Sequence, residues 1–270
     1  MYYHIISSDL DGTLLAPNSS LTDLTINVVQ SLVKKGVYFI IATGRHYFEA
    51  IKVRNNLGIL TFLITSNGAR IYDPYDQLVY SSNVNKYVIL DLIKLCSLDK
   101  DILIQLYSHD SWYISNNYSN NGVNLYNSFG FKYTLLDLKN LIFLDFNKVF
   151  FTSSNLNKLH FLQKYILDNF KSKVNVNFSC SNCLEVVSNE VSKGNALQLV
   201  SNLLGISLKK CLSFGDGMND KDMLEISGKG CIMKNGQHFL KESLSDFEVI
   251  GSNFEDGVAN YLIKIFNLLE

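Results

Sequence analysis

The stretch Ile5-Ile6-Ser7-Ser8-Asp9-Leu10-Asp11-Gly12-Thr13 decides how this chain is read. A short apolar run leads into two carboxylates separated by one leucine, with a glycine directly behind them. Packing does not explain the pair, because buried like charges are costly unless one carboxyl stays protonated. A divalent cation and a phosphoryl group sharing the site would explain it. One carboxylate then serves as nucleophile and ligand while the other moves the proton. Gly12 permits a turn that residues with a Cβ resist, and Thr13 supplies a hydroxyl or a cap for the next segment. Taken alone, the pattern also suits an ordinary aspartate–glycine turn or a calcium loop.

Residues 21–35 form a helical pattern with Ile26, Val29 and Val33 on one face, ending Lys34-Lys35-Gly36, cations and then a left-handed stop. Val37 to Ala42 is a continuous apolar run too short for a helix, which predicts a buried parallel strand. Strand, helix and strand make a crossover unit, and ligands in such sheets bind beyond the carboxyl ends of the strands. Ala42-Thr43-Gly44-Arg45 stands at such an end, where Thr43 and Gly44 can bind a phosphate oxygen and Arg45 can add charge. The alternative makes Thr43 the N-cap of a helix over residues 47–57. Phe62-Leu63-Ile64 enters a tight turn at Ser66-Asn67-Gly68-Ala69, where Asn67 either meets a ligand or holds its own turn. A hairpin around Pro74 comes next.

From about Asn83 the texture changes. Residues 87–95 and 156–170 predict helices, and 102–107, 112–115 and 148–152 predict strands, as does the alternation of Val174, Val176 and Phe178 with polar residues. Asn116 to Asn127 is polar and Asn-rich, and His109-Asp110 reads as a hairpin tip. This stretch carries no catalytic-looking cluster and predicts an inserted α+β domain. Chemistry returns with Ser192-Lys193-Gly194 at a helix start. A lysine there opposes the helix dipole, unless an anion lies between the cation and the helix amides. The competing reading is a solvated surface lysine. A short strand, Cys211 to Phe214, then ends in Gly215-Asp216-Gly217-Met218-Asn219-Asp220, next to a helix over 221–226. Asp216 is placed as a metal ligand, Asn219 as a phosphate or nucleophile contact, and Asp220 as a ligand or a brace behind the ligands. Closing strands at 230–233 and 247–250 and a helix at 258–269 complete the pattern.

Composition narrows the choice. The 270 residues are 47% hydrophobic and 18% charged, which is globular rather than disordered. A formal net charge of −1 without blocks of like charge argues against nucleic acid or a polybasic membrane patch. No apolar run approaches the roughly 18 residues that cross a bilayer. The N-terminus lacks a basic leader region, and cleavage of a signal would remove Asp9, so a cytoplasmic location is expected. The five cysteines are odd in number and fall mostly in apolar runs, and Cys180-Ser-Asn-Cys183 lacks the second pair that zinc would need.

Four strand or helix ends thus carry Asp9 and Asp11, Thr43, Lys193 and Asp216. The quoted motifs DLDGT from Asp9, ATGR from Ala42, SKGNAL from Ser192 and GDGMND from Gly215 resemble those of the haloacid dehalogenase (HAD) superfamily, in its Cof-type (IIB) branch. The resemblance spans essentially the whole chain, including SNGA from Ser66. It implies an α/β fold: a Rossmann-like HAD core with a parallel sheet (1–82 and 188–270) and an inserted α+β cap (83–187) that sets specificity. It also implies an Mg²⁺-dependent phosphatase of small phosphorylated molecules. Asp9 would be the nucleophile and Asp11 the acid/base. Asp9, the Asp11 carbonyl and Asp216 would hold Mg²⁺, with Asp220 behind them. Thr43, Gly44, Lys193, Asn219 and the Leu10 amide would hold the phosphoryl oxygens. The stretches ITSNGAR, CLEV, GKGCIM and EVIG look like enterobacterial phosphatases of pyridoxal phosphate and sugar phosphates. Many family members have glycine where Glu190 stands, and a positive φ there would strain it. Rival readings are a phosphomutase of the same branch, which would need basic residues on the cap, and a non-catalytic binder of phosphorylated ligands. Oligomeric state is left open.

Overall fold

The computed structural model describes residues 2–108, 111–114, 133–135 and 144–268. The His109-Asp110 tip, Ser115, the Asn-rich segment 116–127 and Leu269 lie outside them. The chain divides into two compact units, Met1–Tyr80 with Ser192–Glu270, and Ser81–Val191.

In the first unit the chain runs β1 (Ile5–Ser8), α1 (Asp23–Lys34), β2 (Tyr38–Ala42), α2 (Tyr47–Leu57), β3 (Leu63–Thr65), β4 (Arg70–Tyr72) and β5 (Leu78–Ser81). The second unit holds α3 (Lys86–Cys96), β6 (Leu103–Tyr107), β7 (Trp112–Ile114), β8 (Tyr133–Leu135), β9 (Lys148–Thr152), α4 (Leu156–Phe170), β10 (Val174–Cys180) and β11 (Cys183–Ser188). The chain re-enters the first unit through α5 (Lys193–Leu204), β12 (Cys211–Gly215), α6 (Lys221–Ile226), β13 (Lys229–Met233), α7 (His238–Ser243), β14 (Glu248–Ile250) and α8 (Gly257–Phe266).

The first unit's sheet has the order β14-β13-β12-β1-β2-β3-β4-β5, parallel from β14 to β3 and antiparallel between β3 and β4. Successive strands step outward from β1 in one direction and from β12 in the other. The carboxyl ends of β1 and β12 therefore flank the switch point, the crevice where sheets of this type bind ligands. Continuous apolar strands follow from helices on both faces. Ile6, Phe39 and Ile41 pack with Val29 and Leu32 of α1, Leu57 of α2 and Leu262 of α8. Their neighbours Ile5, Ile40 and Ala42 turn to the opposite face and pack with Leu197 and Val200 of α5 and Met223 of α6.

In the second unit the sheet order is β10-β11-β9-β6-β7-β8, antiparallel except for the β7–β8 pair. Helices α3 and α4 cover one face through Val88, Leu92, Leu159 and Ile166, which pack on Ile104, Val149, Phe151 and Val186. The opposite face carries Leu103, Tyr107, Trp112 and Ile114, with Lys148 paired to Glu185 and its Nζ 4.6 Å from the centre of the Phe150 ring.

Several local expectations shift. The buried stripe of α1 is Thr25, Val28, Val29 and Leu32, offset from the predicted Ile26, Val29 and Val33. The N-cap of α2 is His46, in a capping box with Glu49, and Thr43 lies three residues outside it. Glu190 is not among the residues with positive φ, so the strain considered for it does not arise. Cys96, Cys211 and Cys231 are buried thiols. No helix among the described residues is long and apolar enough to cross a membrane.

Candidate active site

Asp9 directly follows β1, and its amide donates to the Phe214 carbonyl of β12 at 3.1 Å, so the two switch-point strands are bonded at the point where the acidic residues begin. Beyond Asp9 the chain makes a wide turn in which the Leu15 amide donates to the Leu10 carbonyl. Gly12 takes φ +77° within it, and a Cβ on Gly12 would lie 2.3 Å from Asp216 Oδ2. Glycine is therefore required twice, once for the backbone and once for the space that Asp216 occupies. The Thr13 hydroxyl donates to Asp216 Oδ1 at 3.0 Å, and the Asn235 carboxamide donates to the Gly12 carbonyl at 2.7 Å. Leu10 points its side chain into the core with no exposure, leaving only its backbone for the site.

Lys193 is the first residue of α5, and its side chain has no exposure at all. This removes the solvated-lysine reading. Its Nζ donates to Asp9 Oδ1 and to Asp220 Oδ1, each at 2.6 Å. The other Asp220 oxygen accepts the amides of Asp216 and Gly217, both at 2.9 Å. Asp220 thus takes three donors and ties the lysine to the Asp216 turn.

Asp9, Asp216 and Asp220 each offer a carboxylate oxygen within 4.8 Å of one another. Burial raises the Asp9 pKa to about 8, with Asp220 and Asp216 adding to the rise and Lys193 opposing it. Burial and the Asp220 charge raise Asp216 to about 6 against the Thr13 hydrogen bond. Burial would lower Lys193, yet Asp220 and Asp9 outweigh it and raise its pKa. Three carboxylates against one ammonium leave two negative charges uncompensated when all are ionised. An oxygen donor set with that deficit fits a small divalent cation. Asp9 and Asp216 have oxygens to give it, whereas Asp220 is held by its donors.

Asp11 faces a different partner. Arg45 Nε and Nη2 donate to its two oxygens at 2.7 and 2.5 Å, a bidentate fork. The sequence suggests Arg45 as charge for a phosphate, and the structure commits it to Asp11. Thr43 is buried, its amide bonded to the Ile64 carbonyl, and its hydroxyl accepts the Arg45 amide at 3.1 Å. Asn219 Nδ2 donates to Asn67 Oδ1 at 3.1 Å. The structure thus gathers Asp9, Lys193, Asp216 and Asp220 in one cluster, pairs Asp11 with Arg45, and ties Asn219 to the turn beside Thr43 and Gly44. The Arg45 fork and the Asn235 brace have no local sequence signal, because both partners are more than 30 residues away in sequence.

A β1–β12 switch point carrying an acidic cluster with a buried lysine marks a parallel α/β core of a known kind. The chain belongs to the haloacid dehalogenase-like hydrolase family, whose family model matches residues 6–262. It is 53% identical over 264 residues to a protein of Buchnera aphidicola (subspecies Baizongia pistaciae) that bears a provisional phosphatase name, covering 98% of both chains. It is 32% identical over 260 residues to a Serratia proteamaculans protein named HMP-PP phosphatase, covering 96% of this chain and 94% of the other. Among solved structures it superimposes on a Thermotoga maritima protein with a TM-score of 0.84 at 25% identity, covering 97% of each. A structure described as a HAD subclass IIB sugar phosphatase has a TM-score of 0.81 at 18% identity, covering 98% of this chain and 99% of that one, and shares the fold.

Proposed function

We propose that this protein is a cytoplasmic, Mg²⁺-dependent phosphatase that hydrolyses small phosphomonoesters, pyridoxal 5′-phosphate and sugar phosphates first among them. The observation that carries this reading is the buried Lys193 gripping Asp9 beside Asp216 at the switch point.

Asp9 attacks phosphorus through the oxygen that Lys193 does not hold, breaking the bond to the leaving alcohol and forming an aspartyl-phosphate. Asp11 protonates that alcohol and then takes a proton from the water that cleaves the acyl phosphate, returning Asp9 and releasing inorganic phosphate. Arg45 holds both oxygens of Asp11 as the carboxylate, the form that takes the proton from water, and would release one of them when Asp11 carries the proton it gives to the alcohol. The Thr43 hydroxyl, the Gly44 and Leu10 amides, Lys193 and Asn219 hold the phosphoryl oxygens, since positioning and charge supply most of the catalysis in phosphoryl transfer. The Asp9 and Asp216 carboxylates and the Asp11 carbonyl would hold Mg²⁺. It supplies the positive charge that lets an anionic nucleophile approach an anionic phosphate. The inserted unit, here taken as a cap over residues 83–187, selects the leaving group.

The test is phosphate release with Mg²⁺ from pyridoxal 5′-phosphate, a panel of sugar phosphates and HMP-PP, with Asp9→Asn as blank. Asp9-dependent release from pyridoxal phosphate or a sugar phosphate supports the reading. Preference for HMP-PP moves the substrate to that named for the Serratia relative. Ligand-induced stabilisation with no release from any compound refutes catalysis and leaves a phospho-ligand binder.

A further inference from the structure

Ser66, Asn67 and Gly68 take φ values of +51°, +57° and +101° in succession. Glycine adopts that region freely and asparagine tolerates it, but a serine there is strained. Strain of this kind persists only where the surroundings over-determine the backbone, and here they do. The Ser66 amide donates to the Arg45 carbonyl at 2.9 Å, and the Asn67 amide donates to the Thr43 carbonyl at 3.0 Å. On the other side a Cβ on Gly68 would lie 2.2 Å from the Ser192 carbonyl, so the turn is pressed against the residue that caps α5 and precedes Lys193.

Asn67 extends the clamp to a third segment. Its Oδ1 accepts from Asn219 Nδ2 at 3.1 Å and lies 3.0 Å from where a Gly44 Cβ would stand. One left-handed turn therefore touches the Thr43-Gly44 loop, the head of α5 and the Asn219 loop, three of the four segments proposed to hold the phosphoryl oxygens.

We infer that Asn67 is a positioning residue for the phosphoryl group: its carboxamide oxygen fixes the orientation of Asn219, and through it the oxyanion contact that Asn219 makes. This rests on the phosphate-contact role proposed for Asn219. Asn67 does not touch the reacting atoms in this scheme. It acts by holding one Asn219 N–H, so that the carboxamide stands in one orientation before the ligand arrives and loses no rotational freedom on binding.

The test uses the full chain with Mg²⁺ and inorganic phosphate as probe, its binding followed by calorimetry, together with kcat and KM for p-nitrophenyl phosphate. Asn67→Gly removes the carboxamide while accepting the positive φ, which separates the side chain's role from the backbone's. Its phosphate Kd and its KM should rise about tenfold with kcat changed less than threefold and the melting temperature preserved. Asn219→Ala should show a similar rise, and the double variant should be no more than twofold worse than Asn219→Ala, because residues acting through one contact are not additive. A phosphate Kd within twofold of wild type for Asn67→Gly overturns the inference, and so does a double variant in which the two effects multiply. The phosphatase reading fails separately: phosphate binding that depends on Asn67 without Asp9-dependent turnover refutes catalysis and keeps the inference. Absence of phosphate binding in the wild-type protein overturns the inference, and absence of Asp9-dependent turnover as well overturns both.

Discussion

Lys193 donates to Asp9 at 2.6 Å from a side chain with no solvent exposure. It is shared with Asp220 at the same distance, so one ammonium joins the nucleophile candidate to the brace behind it. Removing one partner of such a group leaves charge buried and unpaired, at about 3–5 kcal/mol. Lys193→Ala should therefore lose stability on that scale and lose turnover as well. Lys193→Ala combined with Asp220→Asn should recover part of the stability, because one buried carboxylate goes with the lysine, and should recover no turnover. Chemical denaturation and phosphate release measure the two separately. A stable, active Lys193→Ala protein would remove the lysine from the site.

The raised pKa values of Asp9 and Asp216 predict a pH-dependent response to metal. A carboxyl whose folded pKa exceeds its unfolded value contributes stability at low pH, and that contribution is lost as pH rises through the folded pKa. Metal-free protein should accordingly lose this contribution from about pH 4 upward, with most of the loss complete near pH 8. Mg²⁺ held by these carboxylates, as proposed, would compete with those protons, so the rise in melting temperature on adding it should be larger at about pH 8.5 than at about pH 6. An Asp216→Asn protein should show little rise at either pH. Equal shifts at both pH values in the wild-type protein would detach the metal from these carboxylates.

Gly12→Ala tests the crowding at the turn. The substitution puts a methyl at 2.3 Å from Asp216 Oδ2 and imposes φ +77° on a residue that resists it, the backbone part costing roughly 1–2 kcal/mol. Asp216 must then move. Turnover should fall at least tenfold and stabilisation by Mg²⁺ should shrink, both read on purified folded protein. Unchanged metal stabilisation would show that Asp216 need not stand where the glycine admits it.

The Arg45–Asp11 fork should matter for activity more than for folding. The Asp11 side chain is 55% exposed, and pairs of that kind contribute at most about 1 kcal/mol. Arg45→Ala should leave the melting temperature nearly unchanged and, with Asp11 in the proposed acid/base role, lower kcat about tenfold to a hundredfold, since an unaimed acid/base loses its proton-transfer advantage. Arg45→Lys keeps the charge but not the planar fork and should restore only part of the rate. Full activity in Arg45→Ala would end the aiming role.

Elements with strong local patterns are legible in the sequence. The predicted helix at 156–170 coincides with α4, where apolar spacing leaves one solution, and that at 221–226 coincides with α6, placed by the glycine-rich strand end that precedes it. Helix α7 escapes such a reading because His238–Ser243 is six residues with Leu240 alone buried, too few to show a period. Strand β8, Tyr133–Leu135, escapes it because its three residues are all exposed. The stripe of α1 is displaced because the surface it packs on buries Thr25 and Val28 more deeply than Ile26 and Val33.

The sequence by itself determined the parallel core and the residues that meet at its edge. Apolar strands buried on both faces, and acidic or glycine-rich strand ends, are local properties, each written within about ten residues. Tertiary structure alone decided the partners. It assigned Lys193 to Asp9 and Asp220, took Arg45 from the expected phosphate to Asp11, and joined Asn67 to Asn219 across 152 residues. Side chains of one type compete for the same partners, and the winner depends on which backbones the sheet brings within about 3 Å, a distance no local pattern encodes.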